Sequence, residues 1–388
     1  MPAMPPPRLI DMLAALVKSP SVSCTSAALD RSNLGVINHL AAWLEDLGFA
    51  TNVIELPGKP GKANLIAKLG TGEGGLVLAG HTDTVPCDDA LWAQDPFTLR
   101  ERDGKLYGLG TCDMKGFFPI VIEAARRFDA RTLKKPLTVV ATSDEESSMA
   151  GAQLLVARGE PKSDFALIGE PTDLTPVYAH KGFAMLSIVL TGASGHSSDP
   201  ALGHNALDAM HCVMSELITF RGELARKHKN AGFAVSVPTL NLGCLRAGDN
   251  PNRICGHAEL QIDLRILPGM SYDDVIGALA QRLTAIADSH HNRIAVRALS
   301  TPVPPFQSRK DGWLVKRLEA LTQKPAGAVA FGTEGPFFSQ LGCETAVFGP
   351  GHIGQAHQPD EFLDAAKIAP AVDVVTRLID DVCVREAA

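Results

Sequence analysis

Five short apolar runs in this 388-residue chain each lead into a carboxylate or a histidine, and that shared placement constrains the fold more than any other feature. Gly75-Leu76-Val77-Leu78-Ala79-Gly80 runs into His81-Thr82-Asp83, and Leu106-Tyr107-Gly108-Leu109-Gly110 runs into Asp113. Leu137-Thr138-Val139-Val140-Ala141-Thr142 precedes Asp144-Glu145-Glu146, and Phe165-Ala166-Leu167-Ile168 precedes Glu170. Thr345-Ala346-Val347-Phe348 leads through a glycine-rich turn to His357. Continuous apolar runs between turn residues read as strands buried on both faces. In open α/β sheets the functional groups collect just beyond the carboxyl ends of such strands. Two histidines and several carboxylates gathered there form a mixed nitrogen–oxygen pocket for borderline divalent metals, with more ligands than one ion needs. The expectation is a hydrolytic centre with two metal ions.

Around these runs the chain alternates helix and strand from about residue 7 to 178. An amphipathic helix is expected over Leu9–Lys18, a second over about 32–47, and a third over about 116–128. The alternation argues for an α/β fold with a mostly parallel sheet. After His180 the rhythm changes: strand 183–191, helix 205–229, strands 239–247 and 254–264, helix 272–289, strand 293–299. That βαββαβ order is a complete ferredoxin-like unit, so it reads as an insertion. Pro302-Val303-Pro304-Pro305 marks the return, and a helix over 313–321 resumes the first pattern. The domains expected are 1–180 with 301–388 for the metal site, and 181–300 inserted.

Composition narrows the function by exclusion. A net charge of −7 argues against general affinity for nucleic acid or anionic membrane. The basic stretch Arg226-Lys227-His228-Lys229 reads as the solvated end of a helix. Eight scattered cysteines without a C-x-x-C pair suggest neither a disulfide framework nor a thiolate metal site. Met1-Pro2-Ala3-Met4-Pro5-Pro6-Pro7 has neither the basic nor the apolar region of a secretory leader. No stretch approaches the ~18 apolar residues of a membrane span, so a cytoplasmic protein is expected.

Each motif carries a plainer alternative. In His81-Thr82-Asp83, residues i and i+2 point the same way, so Asp83 can orient the imidazole of a metal-bound His81; otherwise His81 is a core histidine beside an acid. Asp113 sits at a strand-to-helix turn, where it can bridge two cations or merely cap the helix. Asp144-Glu145-Glu146 is three adjacent acids that repel unless cations neutralise them. One glutamate can bind metal while the other acts as general base; the alternative is an acidic helix start. His357 is a ligand or a surface loop histidine. Gly349-Pro350-Gly351-His352-Ile353-Gly354 matches a dinucleotide loop in spelling, yet no helix is expected to follow it. Gly70-Thr71-Gly72-Glu73-Gly74-Gly75 reads as a hairpin turn. His196, in Gly195-His196-Ser197-Ser198, can donate to an oxyanion, and Asn252 with Arg265 can fork onto a carboxylate. These three read equally as surface polar residues.

Taken together, Gly80-His81-Thr82-Asp83-Thr84-Val85-Pro86, Asp113-Met114-Lys115-Gly116, Asp144-Glu145-Glu146, Gly169-Glu170-Pro171, Gly195-His196-Ser197 and His357 resemble the di-zinc M20 peptidase and deacylase family over nearly the whole chain. The resemblance implies a catalytic domain with an inserted lid and dimerisation domain. It implies one ion on His81 and Glu170, another on Glu146 and His357, and Asp113 bridging. Glu145 takes the general-base place, Asp83 supports His81, and His196 matches a residue that reaches a partner subunit's site. Asn252 and Arg265 match substrate-binding positions. Zinc is implied, with cobalt as an alternative, as are a small N-acyl amino acid substrate and a homodimer. Glu334 is a candidate partner for a cationic substrate side chain. A related acylase or carboxypeptidase, or a metal-binding protein without activity, remains open from the residues alone.

Overall fold

In the computed structural model, residues 6–386 are described, and Met1–Pro5 of the stretch read for a leader lie outside them. The chain divides into two compact units. The first holds residues up to Tyr178, Ser308–Gly327 and those from Thr333 onward; the second holds Ala179–Gln307 and Ala328–Gly332. Among the described residues no helix is long and apolar enough to cross a membrane.

The first unit is built on a twisted sheet whose strands run in the order Ala50–Glu55, Ala63–Leu69, Leu137–Thr142, Leu76–His81, Phe165–Ile168, Glu344–Val347 and then Val177. The central four are parallel. Antiparallel pairs finish both sides. Every residue of Leu76–His81, Leu137–Thr142 and Phe165–Ile168 is buried, which is why these segments lack polar alternation. Helix Phe117–Ala125 is apolar almost all round, and helix Ile368–Ile379 packs against it.

Register decides what the sheet presents. His81 lies opposite Thr142, so two strands end level, and Ala79 lies opposite Ile168, so the third ends two residues short of them. The residues following them therefore emerge together at one rim.

Two expectations are corrected. The run through Leu106 does not join this sheet: Lys105–Tyr107 belongs to a separate three-stranded sheet with Arg100–Arg102 and Phe362–Asp364. Glycines at 108 and 110 break the run before it can extend, with φ of 153° and 81°. Gly70–Gly75 is not a hairpin turn either. Strands Ala63–Leu69 and Leu76–His81 are separated by Leu137–Thr142, so this glycine-rich segment carries the chain past a neighbour.

The second unit is a four-stranded antiparallel sheet in the order Thr239–Ala247, His257–Ile266, Gly182–Thr191, Arg293–Ala298. Strand His257–Ile266 alternates strictly, burying Ala258, Leu260, Ile262, Leu264 and Ile266. These residues share one core with helices Ala206–Lys227 and Tyr272–Ser289. Asn205 and Ser271 cap those helices through their side chains.

Candidate metal centre

His81 closes its strand almost without solvent exposure. Its Nδ1 lies 3.0 Å from the Asp83 carbonyl oxygen, so Nδ1 carries a proton and Nε2 is the nitrogen left to face an acid or a cation. Nε2 faces Asp113 Oδ1 at 3.1 Å and Glu170 Oε1 at 3.9 Å. A lone pair against two carboxylates is repulsive unless a cation or a proton lies between them. The Asp83 carboxylate lies farther from Nδ1, at 3.8 Å, and supports the imidazole by charge alone. It accepts hydrogen bonds from the backbone N–H groups of Glu145 at 3.2 Å and Glu146 at 3.1 Å. Asp83 thus ties the histidine strand to the turn that carries both glutamates.

Asp113 comes from the turn before helix Phe117–Ala125. Gly116 occupies the cap position, so Asp113 does not cap that helix. Its turn is held by Glu361, whose carboxylate accepts from the N–H groups of Gly110, Cys112 and Asp113 at 2.9, 2.8 and 3.0 Å. Buried Lys115 pins the same turn by donating to the Leu16 and Ser19 carbonyls.

Asp144 has a left-handed φ of 59°, which turns the chain sharply at the strand end. Lys59 and Lys62 lie 2.5 and 3.0 Å from its carboxylate and absorb its charge. Only Glu145 and Glu146 of the acidic triplet are left to face the rim. His357 Nε2 lies 3.0 Å from Glu146 Oε1 and 3.7 Å from Asp113 Oδ2. Gly169 is required before Glu170, because a Cβ there would sit 2.1 Å from the Phe117 ring.

Ligand atoms of His81, Asp113 and Glu170 lie within 4.8 Å of one another, and so do those of Asp113, Glu146 and His357. Glu145 groups equally closely with His81 and Glu146. Asp113 belongs to the first two sets, as a carboxylate shared between two ions requires. The donors fit such ions chemically: imidazole and carboxylate suit borderline metals, and buried Glu170 Oε1 has no hydrogen-bond partner within the protein.

Without cations these groups distort one another's titration. Burial drives Glu145 and Glu170 well above the carboxylate range, with neighbouring acids adding to it. Burial opposes charge on His81, but Asp113, Glu170 and Glu145 outweigh it and hold the imidazole well above its usual value. The hydrogen bond to Glu146 raises His357 to about 9. A metal ion must displace that proton. Affinity of the Glu146–His357 pair should therefore rise with pH, by at most about tenfold per unit, and weaken as pH falls. Calorimetric zinc titration of chelator-stripped protein in buffers of differing ionisation enthalpy checks this. Binding without proton release near neutral pH would show an imidazole already neutral.

His196, Asn252 and Arg265 all lie in the second unit. His196 is exposed and pairs with Arg253 across a short bridge, while Ser197 N–H donates to the Asn252 carbonyl at 3.1 Å. His196 Nδ1 lies 2.7 Å from the Ser198 hydroxyl. Arg265 lies on the other face of its strand from the buried set. Its Nε is engaged by Asp263 at 3.0 and 3.1 Å, and its guanidinium lies over Phe183. A substrate carboxylate would compete with Asp263 for it.

Glu361 and Lys62 were given no role from the sequence, although each holds a turn that presents candidate ligands. The available signal was weak: Glu361 stands four residues after His357 among other acids, and Lys62 is one lysine among many. Glu334 is wholly buried, and neither of its oxygens receives a hydrogen bond. Burial pushes it up to about 7, with Thr142 and His81 pulling the other way.

The chain belongs to the peptidase family M20/M25/M40, whose profile matches residues 77–381. It is accordingly a metal-dependent hydrolase using divalent ions. Acetylornithine deacetylase from Proteus mirabilis is 47% identical over 382 residues, covering 98% of each chain. The Klebsiella pneumoniae protein of the same name is 46% identical, covering 97% of this chain and 98% of its own. An M20 family metallo-carboxypeptidase from Sulfolobus solfataricus shares the fold with a TM-score of 0.77 at 17% identity, covering 96% of this chain and 98% of the other.

Proposed function

We propose that this hydrolase removes the acetyl group from N2-acetyl-L-ornithine, releasing L-ornithine and acetate. The observation that carries this is the pair of ligand sets sharing Asp113, in a chain 47% identical over almost its whole length to a protein of that name. His81 and Glu170 would hold one ion and Glu146 and His357 the other, with zinc favoured and cobalt an alternative. Such ions polarise the scissile carbonyl and acidify the attacking water. Glu145, raised by burial and neighbouring acids, receives that water's proton and passes it to the departing amine. Asp83 keeps Glu145 and Glu146 on the rim through their backbone N–H groups.

In this reading the first unit is catalytic, and the second is the lid and dimerisation domain of a cytoplasmic homodimer. Asn252 and Arg265 receive the substrate α-carboxylate, and His196 donates to the oxyanion. An oxyanion contact forms mainly in the transition state, so His196→Ala should lower kcat far more than it raises KM. Unchanged kcat with raised KM would reduce His196 to a binding residue.

The deciding assay compares hydrolysis of acetylornithine with acetylmethionine, acetylcitrulline and succinyl-diaminopimelate, with metal content measured on the same sample. Preference for the succinyl substrate would overturn the reading, and metal without hydrolysis of any of them would remove catalysis altogether.

A further inference from the structure

A cavity of about 200 Å³ in the first unit borders the metal centre and has no place in the chemistry above. His357 belongs to both: its Nε2 faces Glu146 and Asp113, and the residue also lines the cavity. Val85, Leu91, Trp92 and Leu109 supply apolar wall, and Cys87 and Asp88 complete that side. The Cys87 thiol is pushed up to about 11 by burial and by Asp89, so it stays neutral. Asp88 is exposed, and one carboxylate oxygen accepts from the Ala90 N–H at 3.1 Å.

Resting on the reading above, we infer that this cavity takes the side chain of the acylated amino acid, with Asp88 receiving a terminal ammonium group. No lysine or arginine lines it, so an α-carboxylate has no partner there. An acetyl methyl leaves most of its volume empty, since one water alone takes roughly 30 Å³ in the liquid. An aliphatic stem ending in a cation matches both parts of the wall: the methylenes lie along Leu91, Trp92 and Leu109, and the charge stays near solvent at Asp88. The cavity thereby selects amino acids with a short cationic side chain.

The test uses two isosteric substrates, Nα-acetyl-ornithine and Nα-acetyl-norleucine, which differ in a terminal ammonium against a methyl. In the metal-loaded protein, Asp88→Asn keeps the Ala90 contact and should lower the ornithine-to-norleucine ratio of kcat/KM about fivefold, as expected for an exposed ion pair. The change should fall in KM and shrink at high salt. Asp89→Asn, outside the cavity, should leave the ratio alone. Leu91→Trp, which narrows the mouth at an exposed position, should penalise long side chains and spare acetyl-alanine. An unchanged ratio in Asp88→Asn overturns the inference. So does a Leu91→Trp variant that discriminates by acyl length at constant amino acid, because the cavity would then hold the acyl group. If no N-acyl amino acid is hydrolysed, the functional reading itself fails and the inference falls with it.

Discussion

Glu145→Gln should retain its metal ions and lose roughly a hundred- to ten-thousand-fold in kcat, the usual range for a positioned general acid–base. The amide keeps the size of the carboxylate but cannot accept a proton from water and return it. The backbone at 145 is held through its own N–H to Asp83, so the substitution leaves the turn in place. The two ligand sets that share Asp113 do not include Glu145, which is why ion content should survive. Measuring kcat and bound metal on one preparation separates the outcomes. Turnover close to wild type would remove Glu145 from its proposed role, and loss of an ion would make it a ligand.

Lys62→Met should destabilise the first unit by about 3 kcal/mol and lower activity although Lys62 touches no candidate ligand. Its ammonium lies 2.8 Å from Asp30 and 3.0 Å from Asp144, with side-chain exposures of 2% for Lys62 and 3% for Asp144. Removing one partner of a buried pair leaves an uncompensated charge, typically a loss of ~3–5 kcal/mol. Lys59 still reaches Asp144, which favours the lower end. Burial opposes charge on both groups, but the pairing prevails, raising Lys62 and lowering Asp144. The depressed Asp144 stabilises above its unfolded pKa, and the raised Lys62 stabilises below its own. The loss should therefore be nearly constant between about pH 5 and pH 9. Hydrogen exchange of the 143–149 backbone, compared across that range, reads this directly. Wild-type protection there, with wild-type activity, would reduce the pair to an ornament of the turn.

Much of the candidate site was legible because strand ends are visible in a sequence. Leu137–Thr142 and Phe165–Ile168 are apolar without alternation, and their boundaries follow from composition alone. Once each pairs in parallel with Leu76–His81, Glu145, Glu146 and Glu170 are brought to the rim where His81 ends. Helix Tyr272–Ser289 is equally plain. Ala50–Glu55 was not recognised, because an edge strand with mixed exposure has neither a continuous apolar run nor clean alternation. The Leu106 run misled for the opposite reason: its composition suits a core strand, but its glycines end it after three residues. Glu361 supports Asp113 from 248 residues away, and Lys62 supports Asp144 from 82 away. No local pattern marks such pairings, since only the closed fold makes them neighbours. Spacing and the M20 resemblance both put Asp83 beside His81; the fold adds that its carbonyl, at 3.0 Å, is nearer to Nδ1 than its carboxylate, at 3.8 Å, a difference between two oxygens that no spacing rule resolves.

The pairing of His81 with Thr142 has a consequence for how the molecule matures. Shifting one of those two strands by a single residue would invert which side chains point inward and separate the imidazole from the glutamates. Only chains with the correct alignment would then present the ligand sets that share Asp113, and binding of divalent metal stabilises whatever state binds it. Metal uptake would in this way act as a checkpoint on assembly, rewarding the one strand alignment that also yields a working enzyme.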